Sequence, residues 1–72
     1  MASLATQKKF ISRNGPLLPR ARQLTIVDIV VNAHGDEVVQ ETPGGLAVFV
    51  DELSDATVTT VYHFVRTALE QL

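Results

Sequence analysis

Leu24-Thr25-Ile26-Val27-Asp28-Ile29-Val30-Val31-Asn32-Ala33 is the stretch on which the fold turns. It holds five β-branched aliphatic residues and a threonine. Stiff side chains of this kind pack well on a pleated surface, whereas a helix costs them rotamer freedom. Taken as a strand, Val27, Ile29, Val31 and Ala33 share one face, and Leu24, Ile26 and Val30 share the other with Asp28 and Asn32. Both faces are then largely apolar, the pattern of a strand covered on two sides.

Outward from this run toward the C-terminus, turn signals and short apolar runs alternate. His34-Gly35-Asp36 reads as a turn and residues 37–42 as a second, more polar strand. Pro43-Gly44-Gly45 punctuates again, and residues 46–50, Leu-Ala-Val-Phe-Val, read as a third strand. Short turns between successive strands imply an antiparallel meander.

The last segment reads as a helix over residues 55–71. Ser54 is a good N-cap, Leu53 and Val58 are spaced as a hydrophobic staple, and Asp55 suits the positive end of the helix dipole. Val58, Val61, Tyr62, Val65, Ala68, Leu69 and Leu72 recur at three-and-four spacing as one apolar stripe. Thr59, His63, Arg66, Thr67 and Glu70 lie opposite, and Phe64 sits at the side of the stripe. The expected fold is therefore α+β: a three-stranded antiparallel meander (24–33, 37–42, 46–50) packed by one C-terminal helix (55–71).

Toward the N-terminus the chain changes character. Residues 1–22 carry Lys8, Lys9, Arg13, Arg20 and Arg22 with no acid, a charge of +5. Residues 23–72 sum to −7, so the modest net charge of −2 conceals a basic arm on an acidic body. Asn14-Gly15-Pro16 divides the arm, Lys8 to Arg13 fit a short edge strand, and Pro16-Leu17-Leu18-Pro19 reads as extended. The division is thus a basic extended arm over residues 1–22 and a single domain over 23–72.

At 72 residues the chain has room for one domain of marginal stability, and the absence of cysteine excludes disulfides and thiolate chemistry. No apolar run is long enough to span a membrane, and no secretory signal precedes Leu24, so the expected location is cytoplasmic. An acid-free N-terminus containing Ser, Thr and Arg also has the composition of an organelle transit peptide.

The chemistry-bearing residues are sparse. His34 stands beside Asp36 and Glu37, yet no third ligand or nucleophile is placed with them, so a polar turn is the expectation. His63 falls on the polar helix face, and Pro43-Gly44-Gly45 lacks both the lysine and the following helix of a phosphate-binding loop. The clusters Glu37/Glu41 and Asp51/Glu52/Asp55 do not have calcium-loop spacing. Neither an enzyme, a metal site nor a cofactor is expected. A sheet apolar on both faces instead predicts a partner, either a second copy in a homodimer or another protein. The expected protein-binding residues are Leu17, Leu18, Asp51, Glu52, Asp55, His63 and Phe64. The alternative is nucleic-acid binding through Lys8, Lys9, Arg13, Arg20 and Arg22, which the acidic body opposes.

Overall fold

Residues 24–33 are helical in the computed structural model, which describes residues 2–43 and 45–71. They lie inside α2 (Arg20–His34), which follows α1 (Leu4–Asn14) and a 3-10 turn at Gly15–Leu17. A second 3-10 turn (Asp36–Val38) leads into a hairpin of β1 (Val39–Thr42) and β2 (Gly45–Val48). A third (Val50–Glu52) leads to α3 (Asp55–Glu70). Over the described residues the protein is mostly helical, with three α-helices and a two-stranded sheet, not a three-stranded meander under a single helix.

The strand expected at 24–33 is overturned by what flanks and faces it. Arg20-Ala21-Arg22-Gln23 are strong helix formers that supply the first turn. Pro19 is the N-cap, its carbonyl accepting from the N–H groups of Arg22 and Gln23. The Gln23 side chain donates to the carbonyls of Pro16 and Leu18 at 3.2 and 2.8 Å, holding the preceding turn against the helix. Gly35 ends α2 with φ +82°, a conformation that β-carbon-bearing residues avoid, and its N–H reaches the Val31 carbonyl at 2.8 Å. Between these ends Ile26 and Val30, one turn apart, are buried in the core, and Ile29 and Val31 pack partly against it. That burial offsets a propensity cost of a few tenths of a kcal/mol for each β-branched residue.

The extended basic arm is likewise a helix. Ser3 caps α1, its Oγ accepting from the Thr6 N–H at 3.3 Å, and the Gly15 N–H closes the other end on the Ile11 carbonyl. Leu4, Gln7 and Ile11 fall on one face, with Gln7 and Ile11 fully inside. The expected edge strand at 8–13 is absent because this face is covered by α3. The expected strands at 37–42 and 46–50 survive, shortened, as β1 and β2.

The C-terminal helix forms where its cap and stripe place it. Ser54 Oγ accepts from the Thr57 N–H at 3.3 Å, and Val58, Val61, Val65 and Ala68 are buried. Leu72, the last residue of the expected stripe, lies outside the described residues. Thr60 Oγ1 donates to the Ala56 carbonyl and Thr59 Oγ1 to Gln7 Oε1, so the β-branched run keeps its hydroxyls bonded. Ser54→Ala is expected to lower stability by about 1 kcal/mol, seen as a lower urea midpoint with an unchanged slope.

Directions follow from the contacts. Gln7 meets Thr59, and the rings of Phe10 and Tyr62 meet edge to face at 5.2 Å, so α1 and α3 run parallel. Arg22 Nη2 donates to Gln71 Oε1 while His34 reaches Ser54 and Thr57, so α2 runs antiparallel to α3. The hairpin therefore projects from the end of the bundle where α2 stops and α3 starts. The two-faced apolar sheet from which a homodimer is expected does not exist. Among the described residues, the large apolar side chains left exposed are Leu17, Leu24 and Phe49.

Candidate functional site

The hairpin has a fixed register: Val39 opposes Val48, Gln40 opposes Ala47, Glu41 opposes Leu46 and Thr42 opposes Gly45. The Phe49 N–H donates to the Val38 carbonyl at 2.8 Å, which sets the alternation of the ladder. Residues 45, 47 and 49 then turn their backbone groups toward β1, and Leu46 and Val48 turn theirs outward. Val39 and Val48 lie on the face packed against the core, and α2 packs on β1 rather than β2. Among the described residues β2 pairs only with β1, so its outer edge is open. Phe49 projects from the opposite face and is 42% exposed.

Charge surrounds this edge. Residues 36–55 contain Asp36, Glu37, Glu41, Asp51, Glu52 and Asp55 and neither lysine nor arginine. All six acids are exposed. Asp51 and Glu52 sit on the 3-10 turn directly after β2, and Asp55 opens α3. Native edge strands are commonly protected by lysines on the strand. Here the flanks carry the other sign.

His34 closes the base of the hairpin. Its Nε2 accepts the Ser54 N–H at 3.2 Å and lies 3.1 Å from the Thr57 hydroxyl, joining the end of α2 to the start of α3. Ser54 Oγ bonds to Thr57 Oγ1 at 3.0 Å, so the two hydroxyls, the Ser54 N–H and the imidazole form one hydrogen-bonded clasp. Among the described residues no group of three or more His, Asp or Glu side chains is placed to hold a metal ion. No helix among them is long and apolar enough to cross a membrane.

The residues expected to bind protein are dispersed. Asp51 and Glu52 lie on the 3-10 turn that follows β2, and Asp55 opens α3 just beyond it. Leu17 is 69% exposed, but it lies at the far end of the bundle, before α2. Leu18 is buried in the core and Phe64 packs partly against it, so Leu18 offers no contact surface. His63 is exposed on α3 with its ring 5.5 Å from that of Tyr62. The five basic residues are also divided: Lys8, Lys9 and Arg13 on α1, Arg20 and Arg22 at the start of α2. Arg22 is bonded to Gln71, and Lys8 stands 3.7 Å from the Asp51 carboxylate.

Two features escaped the sequence reading. Gln7 is a buried polar residue whose Nε2 donates to the Ala2 carbonyl and whose Oε1 accepts from Thr59, fastening α1 to α3. Its helical spacing from Leu4 and Ile11 was the available signal. The open edge of β2 was implicit in the expected meander, whose third strand also ends the sheet, but nothing in the residues singled it out as a docking edge.

No protein-family model matches this chain, and neither a curated protein nor a solved structure shows significant similarity to it.

Proposed function

We propose that this protein is a non-enzymatic interaction module that binds an extended basic segment of a partner protein along the outer edge of β2. The observation that carries the reading is an unpaired strand edge bordered by Asp51, Glu52 and Asp55. An extended segment added beside β2 satisfies the outward backbone groups of Leu46 and Val48, and strand addition of this kind supplies affinity through main-chain hydrogen bonds. Alternate side chains of the added segment then face opposite ways. One row approaches the apolar face formed by Val39 and Val48, and the other approaches Phe49. Lysines or arginines in that segment meet the acidic flanks, which favours encounter and rejects acidic partners.

The nucleic-acid reading drew on an extended basic arm. Residues 4–14 are instead a helix packed on α3.

The test is a titration of isotope-labelled protein with a short synthetic peptide of alternating lysine and isoleucine. Saturable shifts of the backbone amides of residues 46–52, with cross-strand contacts between peptide and Val48, are expected. Absence of binding, or shifts centred on α1 or on Leu17, would overturn the reading.

A further inference from the structure

A second feature lies on α1 and does not depend on the hairpin reading. Lys8, Lys9, Ser12 and Arg13 are spaced one turn apart in pairs, so they share one side of the helix. With Ala5, Val50 and Asp51 they line an open depression of about 670 Å³ between α1 and the 3-10 turn after β2. Three cations and a hydroxyl thus converge on one hollow. Among the described residues neither Lys9 nor Arg13 has a side-chain hydrogen bond or ion pair. The one acid in the lining is Asp51, whose side chain is 96% exposed and whose contact with Lys8 spans 3.7 Å. A contact so long and so exposed contributes little and yields readily to a stronger anion.

We infer that this depression is a binding site for a phosphate monoester dianion. Such a group carries close to two negative charges at neutral pH and three acceptor oxygens. Lys8 and Lys9 approach it as point charges, Arg13 offers a planar pair of donors, and the Ser12 hydroxyl supplies a neutral one. A compact dianion suits the hollow better than a polyanion strand. Arg22 is tied to Gln71 at the far end of the bundle, and Asp51 lines the hollow on its hairpin side. The shared chemistry is the phosphoryl group, carried either free or on a phosphorylated segment of a protein.

The experiment titrates the full chain, observed by NMR, with inorganic phosphate, with a phosphoserine-containing peptide, and with single-stranded oligodeoxythymidine. Saturable shifts at Ala5, Lys8, Lys9, Ser12 and Arg13 are expected. Lys9→Gln with Arg13→Gln should weaken binding at least tenfold, since two charge-assisted contacts are lost. Arg20→Gln should leave it unchanged. Tighter binding of the peptide than of inorganic phosphate identifies a phosphorylated protein as the source, and equal binding identifies free phosphate. Shifts that never saturate, affinity untouched by the double substitution, or preference for the oligonucleotide with equal dependence on Arg20 would overturn the inference. The exposed positions of Lys9 and Arg13 leave the core intact, and an unchanged amide spectrum of the free variant checks this.

Discussion

Val30→Asp is expected to leave the chain unfolded at room temperature, with loss of helical circular dichroism and collapse of amide dispersion. Val30 has no solvent exposure and belongs to a core closed by Val58, Val61 and Val65, which are equally inaccessible. A carboxylate there finds no cation and no cluster of donors, so it either stays charged at great cost or takes up a proton and still lacks partners. Burial of an unpaired polar group in such a site costs on the order of 4 kcal/mol or more. A domain of this size has a total stability of about 4–10 kcal/mol, so little or nothing remains. Val30→Ala gives the graded companion. It removes two methyl groups, leaves a small cavity and should cost about 2 kcal/mol, seen as a shifted urea midpoint. A native-like spectrum for Val30→Asp would mean that α2 does not pack on α3 as described.

The second large effect concerns the hairpin. Asp51→Lys combined with Glu52→Lys should weaken binding of the lysine–isoleucine peptide by about 10- to 100-fold, as two attractive contacts become repulsive. Both side chains are exposed, and the Asp51 contact with Lys8 is long, so the folded chain should tolerate the exchange. High salt should narrow the difference between the two proteins, because exposed charges are screened. The same Asp51→Lys change has the opposite sign at the α1 depression, where it removes the one acid of the lining and adds a cation. Phosphate binding should strengthen while peptide binding weakens, so failure of one reading leaves the other standing. Peptide affinity that is indifferent to both substitutions would remove the acidic flank from the interaction.

The legible parts of the fold were those in which local and periodic signals agreed. Ser54, Leu53, Asp55 and the stripe from Val58 to Ala68 all pointed to one helix, and α3 begins at Asp55. The turn signal at Pro43 likewise separated two strand runs that pair as β1 and β2, whereas Gly35, expected to join two strands, ends α2. The acidic cluster at the site was visible as composition. Its position after the last strand of the sheet was legible too, because residues 46–50 end the sheet in the expected meander as β2 does in the hairpin.

Residues 24–33 were illegible for a specific reason. Their apolar residues occupy both faces of a strand and several faces of a helix, so neither period stands out. The propensity difference between the two states is a few tenths of a kcal/mol per residue, well below what burial of a few side chains contributes. The basic arm misled in a similar way, because its charges mark the solvent side of α1, whereas Leu4, Gln7 and Ile11 carry its packing.

By itself, the sequence determined the C-terminal helix, the polar turns and the separation of basic from acidic charge, all of which follow from neighbours within a few residues. Tertiary structure decided that residues 4–14 and 24–33 are helices. The buried stripe of α3 needs apolar cover along its length, and two helices supply it while leaving the hairpin as a two-stranded sheet. No local rule encodes that choice, because the free energy that makes it belongs to contacts between segments far apart in the chain.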